Sequence, residues 1–189
     1  MSLQTTASQT IGPYLHIGLT WLNNDNLTGS GVEGEKFTLE GRVTDGDGKP
    51  VNDAVIETWQ ADAAGRYAHP ADTRTNSVSP GFRGFGRVMT DADGEFRLTS
   101  IKPGRVPDPR GGLQAPHLAV MLFTRGLLKQ LVTRVYLGGD AANAEDAALQ
   151  SVADHRRATL VAQPIAGRTG AYQWNIVLQG PGETVFFKI

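Results

Sequence analysis

The sequence predicts a mainly β protein: a β-sandwich of two packed sheets, with an extended N-terminal arm and one or two short helices. Three observations carry this. Apolar segments are short and often alternate with polar residues, and Gly, Asp, Asn and Pro separate them at intervals too tight for long helices. Six or more such segments recur along the chain. The 189 residues are 40% hydrophobic, enough for one sizeable core without requiring a second. Residues 1–189 are therefore read as one sandwich domain, with residues 1–35, polar and Gly-rich, as a surface arm.

Each element has its own signal. In 36–43 Phe37 and Leu39 alternate with polar neighbours, and the stretch T-D-G-D-G-K-P then supplies a turn before 53–60, which predicts a hairpin. A second hairpin is predicted over 86–99, where Asp93-Gly94 suits a turn that needs positive φ. The run 117–124 reads as a central strand, followed by strands over 131–137, 171–179 and 184–189. Good helix formers in sequence occur at 144–152, with Asn143 available as N-cap before acidic first-turn residues.

Composition narrows the function classes. With 18 basic and 19 acidic residues the net charge is −1, so neither a nucleic-acid footprint nor a polybasic membrane edge is present. The absence of cysteine removes disulfide frameworks and thiolate metal sites. The first residues lack the basic flank and apolar core of a signal peptide, and no run approaches a membrane span of about 20 residues; the expectation is a soluble, cytoplasmic protein.

Local motifs for chemistry are sparse. His16, His69, His117 and His155 are scattered, with no His-x-His and no His-Glu-x-x-His pair. No G-x-S-x-G nucleophile elbow occurs. The two T-D-x-D-G stretches invite a calcium reading, but from Asp45 and from Asp91 the sixth and twelfth positions are Pro50 and Ile56, and Phe96 and Lys102. An EF-hand loop wants Gly and Glu there, so both stretches read as turns.

Longer blocks do carry a resemblance. The stretch V-x-D-A-V-I-E-T-W-Q-A-D-A-A-G-R-Y ending at Tyr67, F-R-G-F-G-R-V-M-T-D-A-D-G-E-F over 82–96 and I-K-P-G over 101–104 are similar to the intradiol ring-cleavage dioxygenases. With S-Q-T-I-G-P-Y-L-H-I-G-L over 8–19 and G-P-G-E-T-V-F-F over 180–187, the likeness extends over nearly the whole chain and points to the alpha-type subunits of the family's heteromeric members. Such a subunit is paired with an iron-binding beta subunit, and the pair cleaves the carboxylated catechol 3,4-dihydroxybenzoate with O2 to 3-carboxy-cis,cis-muconate.

The resemblance also implies where iron is held. The family's Fe(III) sits between two tyrosinates and two histidines. No Tyr occurs between Tyr67 and Tyr136, Val106 stands where the second tyrosinate falls, and His117-Leu118-Ala119 replaces the His-x-His. In a strand, residues i and i+2 share a face, so Ala119 has the right side and the wrong chemistry. One imidazole cannot hold a hard ferric ion that needs anionic oxygen donors. Val106, His117 and Ala119 are thus vestigial ligand positions, no metal is expected on this chain, and Fe(III) is expected on the beta subunit. His117 reads as a core histidine satisfied by a backbone carbonyl.

Arg125 differs. Eight residues along a strand span about 26 Å, so it cannot serve the same pocket as His117. Alone it reads as a solvated strand-end cation; the resemblance makes it the F-T-R-G arginine that reaches the partner's iron site, where Arg suits a carboxylated substrate. Thr10, Gly12, Pro13 and Tyr14 match the family's block at the mouth of that shared site, with Gly12 permitting close backbone approach and Pro13 stiffening the arm. Tyr14 is equally read as packing within its own subunit. Arg134 reads as a paired structural arginine, and Trp59, Trp174 and Tyr67 as core or interface anchors. The competing class is a transthyretin-like sandwich that binds a small aromatic or a protein without catalysis.

Overall fold

The computed structural model describes residues 9–75 and 77–188. In chain order it holds α1 (Pro13–Gly18), β1 (Lys36–Thr44), β2 (Val55–Trp59), β3 (Phe85–Met89), β4 (Glu95–Ile101), β5 (Val106–Pro107), β6 (Leu113–Gln114), β7 (His117–Phe123) and β8 (Leu131–Leu137). Two short helices, α2 (Ala147–Gln150) and α3 (Asp154–Arg157), lead to β9 (Val161–Pro164), β10 (Ala171–Gln173) and β11 (Ile176–Val177).

The predicted sandwich is present. On one side β1 pairs antiparallel with β4 and parallel with β10 and β11. On the other, β2 lies between β3 and β7, and β7 pairs with β8, all antiparallel. β9 pairs with both β8 and β10 and so joins the two sides into one curled sheet. Period-2 alternation sends Leu39, Val43, Phe96 and Leu98 from one side, and Ile56, Leu118, Val120, Leu122 and Val135 from the other, into one core.

The two predicted hairpins are not hairpins. Both turns form, Asp45 Oδ1 accepting from Asp47 N and Lys49 N, and Asp91 Oδ1 accepting from Asp93 N and Glu95 N. Yet β1 pairs with β4 while β2 pairs with β3, so each turn carries the chain across the core from one side to the other. Alternation looks the same for a hairpin and for such a crossing, because either buries every second residue. The turns lie against each other: Val43 N donates to Gly94 O, and Gly94 has φ +72° with only 2.8 Å between a would-be Cβ and that same residue's carbonyl.

Other expectations need correction as well. Residues 184–188 form no named strand; they are tied to the sheet by Thr184 N to Val177 O and Phe187 N to Val132 O. Asn143 is not the N-cap: Asp146 caps α2 by accepting from Leu149 N, and Asp140 caps the preceding 3-10 turn. The arm, from residue 9, is anchored where Asn24 bridges Arg87, Asn26 bridges Thr99 and Leu27 enters the core.

Candidate functional site

The predicted site residues fall at opposite ends of β7. At its C-terminal end the chain turns through Thr124 and Gly126, whose φ is +81°. Thr10 brackets this turn: its Oγ1 donates to Thr124 O at 3.3 Å and accepts from Gly126 N at 2.9 Å. Thr10 and Arg125 are thereby brought together, although they lie 115 residues apart in sequence. Arg125 has 66% of its side chain exposed, and one nitrogen, Nη1, donates to Asp53 Oδ2 at 3.1 Å and to Asn52 Oδ1 at 3.2 Å.

Asp53 was hidden from sequence reasoning, yet its position follows from the register. Val55 faces Phe123 across the β2–β7 pair, and two steps further Asp53 faces Arg125. One Asp53 oxygen is buried without a partner, and the other holds Arg125. Among the described residues the rest of the exposed guanidinium has no partner, and a guanidinium edge of this kind suits a carboxylate.

Gly12, Pro13 and Tyr14 open α1. Gly12 is its N-cap with extended backbone and Pro13 begins the first turn, the place where a missing N–H does no harm. Among the described residues, the chain neighbours aside, no atom lies within 4 Å of a would-be Cβ at Gly12. Tyr14 is 82% exposed; the expectation that it packs within its own subunit is overturned.

At the N-terminal end of β7, His117 and Ala119 lie on the face turned away from the core, beside Tyr136 and Arg134 of β8. His117 is buried, and its Nδ1 lies 2.8 Å from Ala115 O, so Nδ1 carries the proton. Burial first, and the Arg134 charge second, push its pKa down to about 4. The Tyr136 hydroxyl donates to Asp146 Oδ1 at 2.9 Å, and burial, reinforced by the Asp146 charge, pushes its pKa up. Asp146 is held below the usual carboxylate range. Burial works against this, but hydrogen bonds from Leu149 N, Ala115 N and Tyr136 together outweigh it.

Arg134 is not the ion-paired structural arginine expected: it donates to Gln114 Oε1 at 2.7 Å, and no carboxylate pairs with it among the described residues. Trp174 is a core anchor, its Nε1 donating to Thr159 O. Trp59 and Tyr67 instead stack, at 6.0 Å and 5°, as one wall of a cleft of about 560 Å³ that includes Val106 and Pro107. A larger groove, about 750 Å³, crosses β1 and β4; Arg42–Glu95 and Arg97–Glu40 pair within it, and Asp25 and Asp91 also line it, so its wall is acidic on balance.

The sequence profile of the Dioxygenase family matches residues 12–180. The chain is 41% identical to the protocatechuate 3,4-dioxygenase alpha chain of Burkholderia cepacia, with 100% of this chain and 99% of that one covered, and 40% identical to the alpha chain of Pseudomonas putida, with 98% and 96% covered. It is also 37% identical to the beta chain from Burkholderia cepacia over 80% of this chain and 67% of that one. In fold it is similar to an intradiol ring-cleavage dioxygenase from Tetranychus urticae, with TM-score 0.64, 14% identity and 82% and 85% covered.

The chain belongs to the intradiol ring-cleavage dioxygenase family, which is iron-dependent. Its own residues do not fit the metal. Val106 and Ala119 offer no donor, the Tyr136 hydroxyl is committed to Asp146, and a guanidinium stands beside the one imidazole. Among the described residues no three His, Asp or Glu side chains gather to hold an ion.

Proposed function

We propose that this chain is the alpha chain of a protocatechuate 3,4-dioxygenase, acting with a beta chain that holds the iron. Its reaction opens the ring of protocatechuate with O2 to give 3-carboxy-cis,cis-muconate. Fe(III) on the beta chain supplies the redox chemistry. This chain contributes the mouth of the site: Arg125, fixed by Asp53 and bracketed by Thr10, receives or steers the substrate carboxylate. Gly12, Pro13 and Tyr14 present an open, exposed edge to the partner. Likeness to both an alpha and a beta chain supports a pair of related subunits.

The observation that supports the reading is a division within one chain: one end of β7 keeps a single imidazole, His117, with Ala119 and Val106 in place of donors, while the far end keeps a braced, exposed guanidinium. Among the described residues no helix is long and apolar enough to cross a membrane; a cytoplasmic location belongs to this proposal. Arg125→Ala, purified in complex with the beta chain, should raise KM for protocatechuate roughly tenfold or more, the scale of one lost charge-assisted hydrogen bond. Unchanged kinetics in an iron-replete complex would remove Arg125 from the site.

A further inference from the structure

We infer that Asp53 is a positioning residue for substrate selection, a step that rests on the role proposed for Arg125: acting through that arginine, it fixes which edge of the guanidinium the substrate carboxylate meets. Asp53 is not needed by its own turn. Asp45, Asp62 and Asp91 spend carboxylate oxygens on backbone N–H groups of the turns they sit in, as turn aspartates commonly do. Asp53, in the turn before β2, accepts no backbone N–H. Among the described residues its one bond is to Arg125, and its other oxygen is buried without a partner. A half-satisfied buried carboxylate costs stability, and its hold on the arginine is what accounts for it.

Both partners stand on fixed backbone. Thr90, buried just past β3, donates through Oγ1 to Val51 O at 2.8 Å and accepts there from Ala54 N at 3.0 Å, while its own N–H donates to Ala54 O at 3.0 Å. The turn that carries Asp53 is thus pinned without using the carboxylate. From the other side Thr10 holds the loop that carries Arg125.

Hydrogen-bond geometry then selects the edge. A guanidinium offers two pairs of parallel N–H bonds, one on Nη1 with Nη2 and one on Nε with Nη2. Nη1 already serves two acceptors, Asp53 Oδ2 at 3.1 Å and Asn52 Oδ1 at 3.2 Å. The pair left whole is Nε with Nη2. A long, exposed side chain loses freedom when it grips a ligand, and a brace already made removes part of that cost. Asp53 also repels a second carboxylate, but across the width of the guanidinium and through solvent this is the weaker effect.

A double-variant cycle on the iron-replete complex with the beta chain tests this, reading KM for protocatechuate beside the inhibition constant of catechol, the same ring without the carboxylate. Asp53→Ala should raise KM for protocatechuate at least fivefold and move catechol less than twofold, whereas a general disturbance of the site would shift both. In an Arg125→Ala background the same substitution should add less than twofold, since the acid then has nothing to position. Asp53→Asn, which keeps the shape and loses the charge, should raise KM at least twofold and decides the matter where the alanine variant fails to assemble. Arg125→Ala leaving KM unchanged would overturn both this role and the reading of Arg125 beneath it. A raised KM for Arg125→Ala with no rise in either Asp53 variant, a full Asp53 effect persisting without Arg125, or an equal change for catechol would overturn the role of Asp53 alone.

Discussion

His117 and Arg125 are the two polar side chains of one otherwise apolar stretch, and their surroundings give them opposite duties. His117 is buried and neutral, with its pKa down near 4 against an ordinary 6.5. Between those values the unfolded chain binds a proton that the folded chain refuses, so stability falls as pH drops through this window, by about 1.4 kcal/mol per pH unit. Below about pH 4 both states are protonated and the slope from this residue ends. Equilibrium urea unfolding at pH 6.5 and pH 5 should therefore show a loss that His117→Gln largely removes; an equal loss in the variant would mean that another group carries it. Arg125 is exposed, and its brace, Asp53, is as much a part of the proposed site as the arginine itself. The loss of metal donors is legible from residue types alone, because Val and Ala offer nothing to iron. The Asp53 brace is not legible that way, since an Asp in a turn reads the same whether or not a distant arginine lies opposite it.

At the scale of elements, β1 fits closely against β4 and the β10–β11 segment on its own side of the sandwich. Gly41, in its middle, has Trp174 O only 1.8 Å from a would-be Cβ, with Phe96 Cζ at 2.9 Å. The first of these is backbone and cannot rotate away, so Gly41→Ala should force β1 and the segment between β10 and β11 apart. A cost of about 1–3 kcal/mol or more is expected from such overpacking, read as a lower urea midpoint, with an unchanged midpoint meaning that the strands can slide. The sequence makes most strands visible because alternation marks the buried face: β1, β2, β7 and β8 lie within a residue or two of their predicted limits. Pairing is another matter. Which strand lies beside which depends on contacts far apart in the chain, and the Asp-Gly turns, satisfied by their own aspartates, serve a crossing as well as a hairpin. The short β9 escapes notice because its four residues, V-A-Q-P, are buried at a single position, and the facing of Trp59, Ala119 and Arg134 across β2, β7 and β8 shows only once those strands are set in register.

For the whole molecule, the question is what covers the surface this chain leaves bare. Tyr14, Ile17 and Trp21 are 82%, 77% and 74% exposed; Tyr14 and Ile17 lie three residues apart in α1, toward one side of it, and Trp21 follows in the separate 3-10 turn over Thr20–Leu22. Large apolar groups clustered in the open mark an interaction surface more often than single ones do, and aromatic anchors of this kind dominate binding energy when a partner buries them. The same segment begins one turn after Thr10, which is tied to the loop carrying Arg125. A partner that buries Tyr14 and Trp21 therefore also comes to lie at the arginine, and assembly and site formation become one event. Mixing the chain with its beta partner should slow amide exchange across residues 13–22, while Trp21→Ala should weaken assembly at least tenfold and lower activity in proportion to the complex lost. With iron on the beta chain, as proposed, metal analysis should find one iron per alpha-beta pair in both the natural and the variant complex. Unaltered exchange across 13–22 on mixing would place the beta chain elsewhere, and would separate this surface from the site at Arg125.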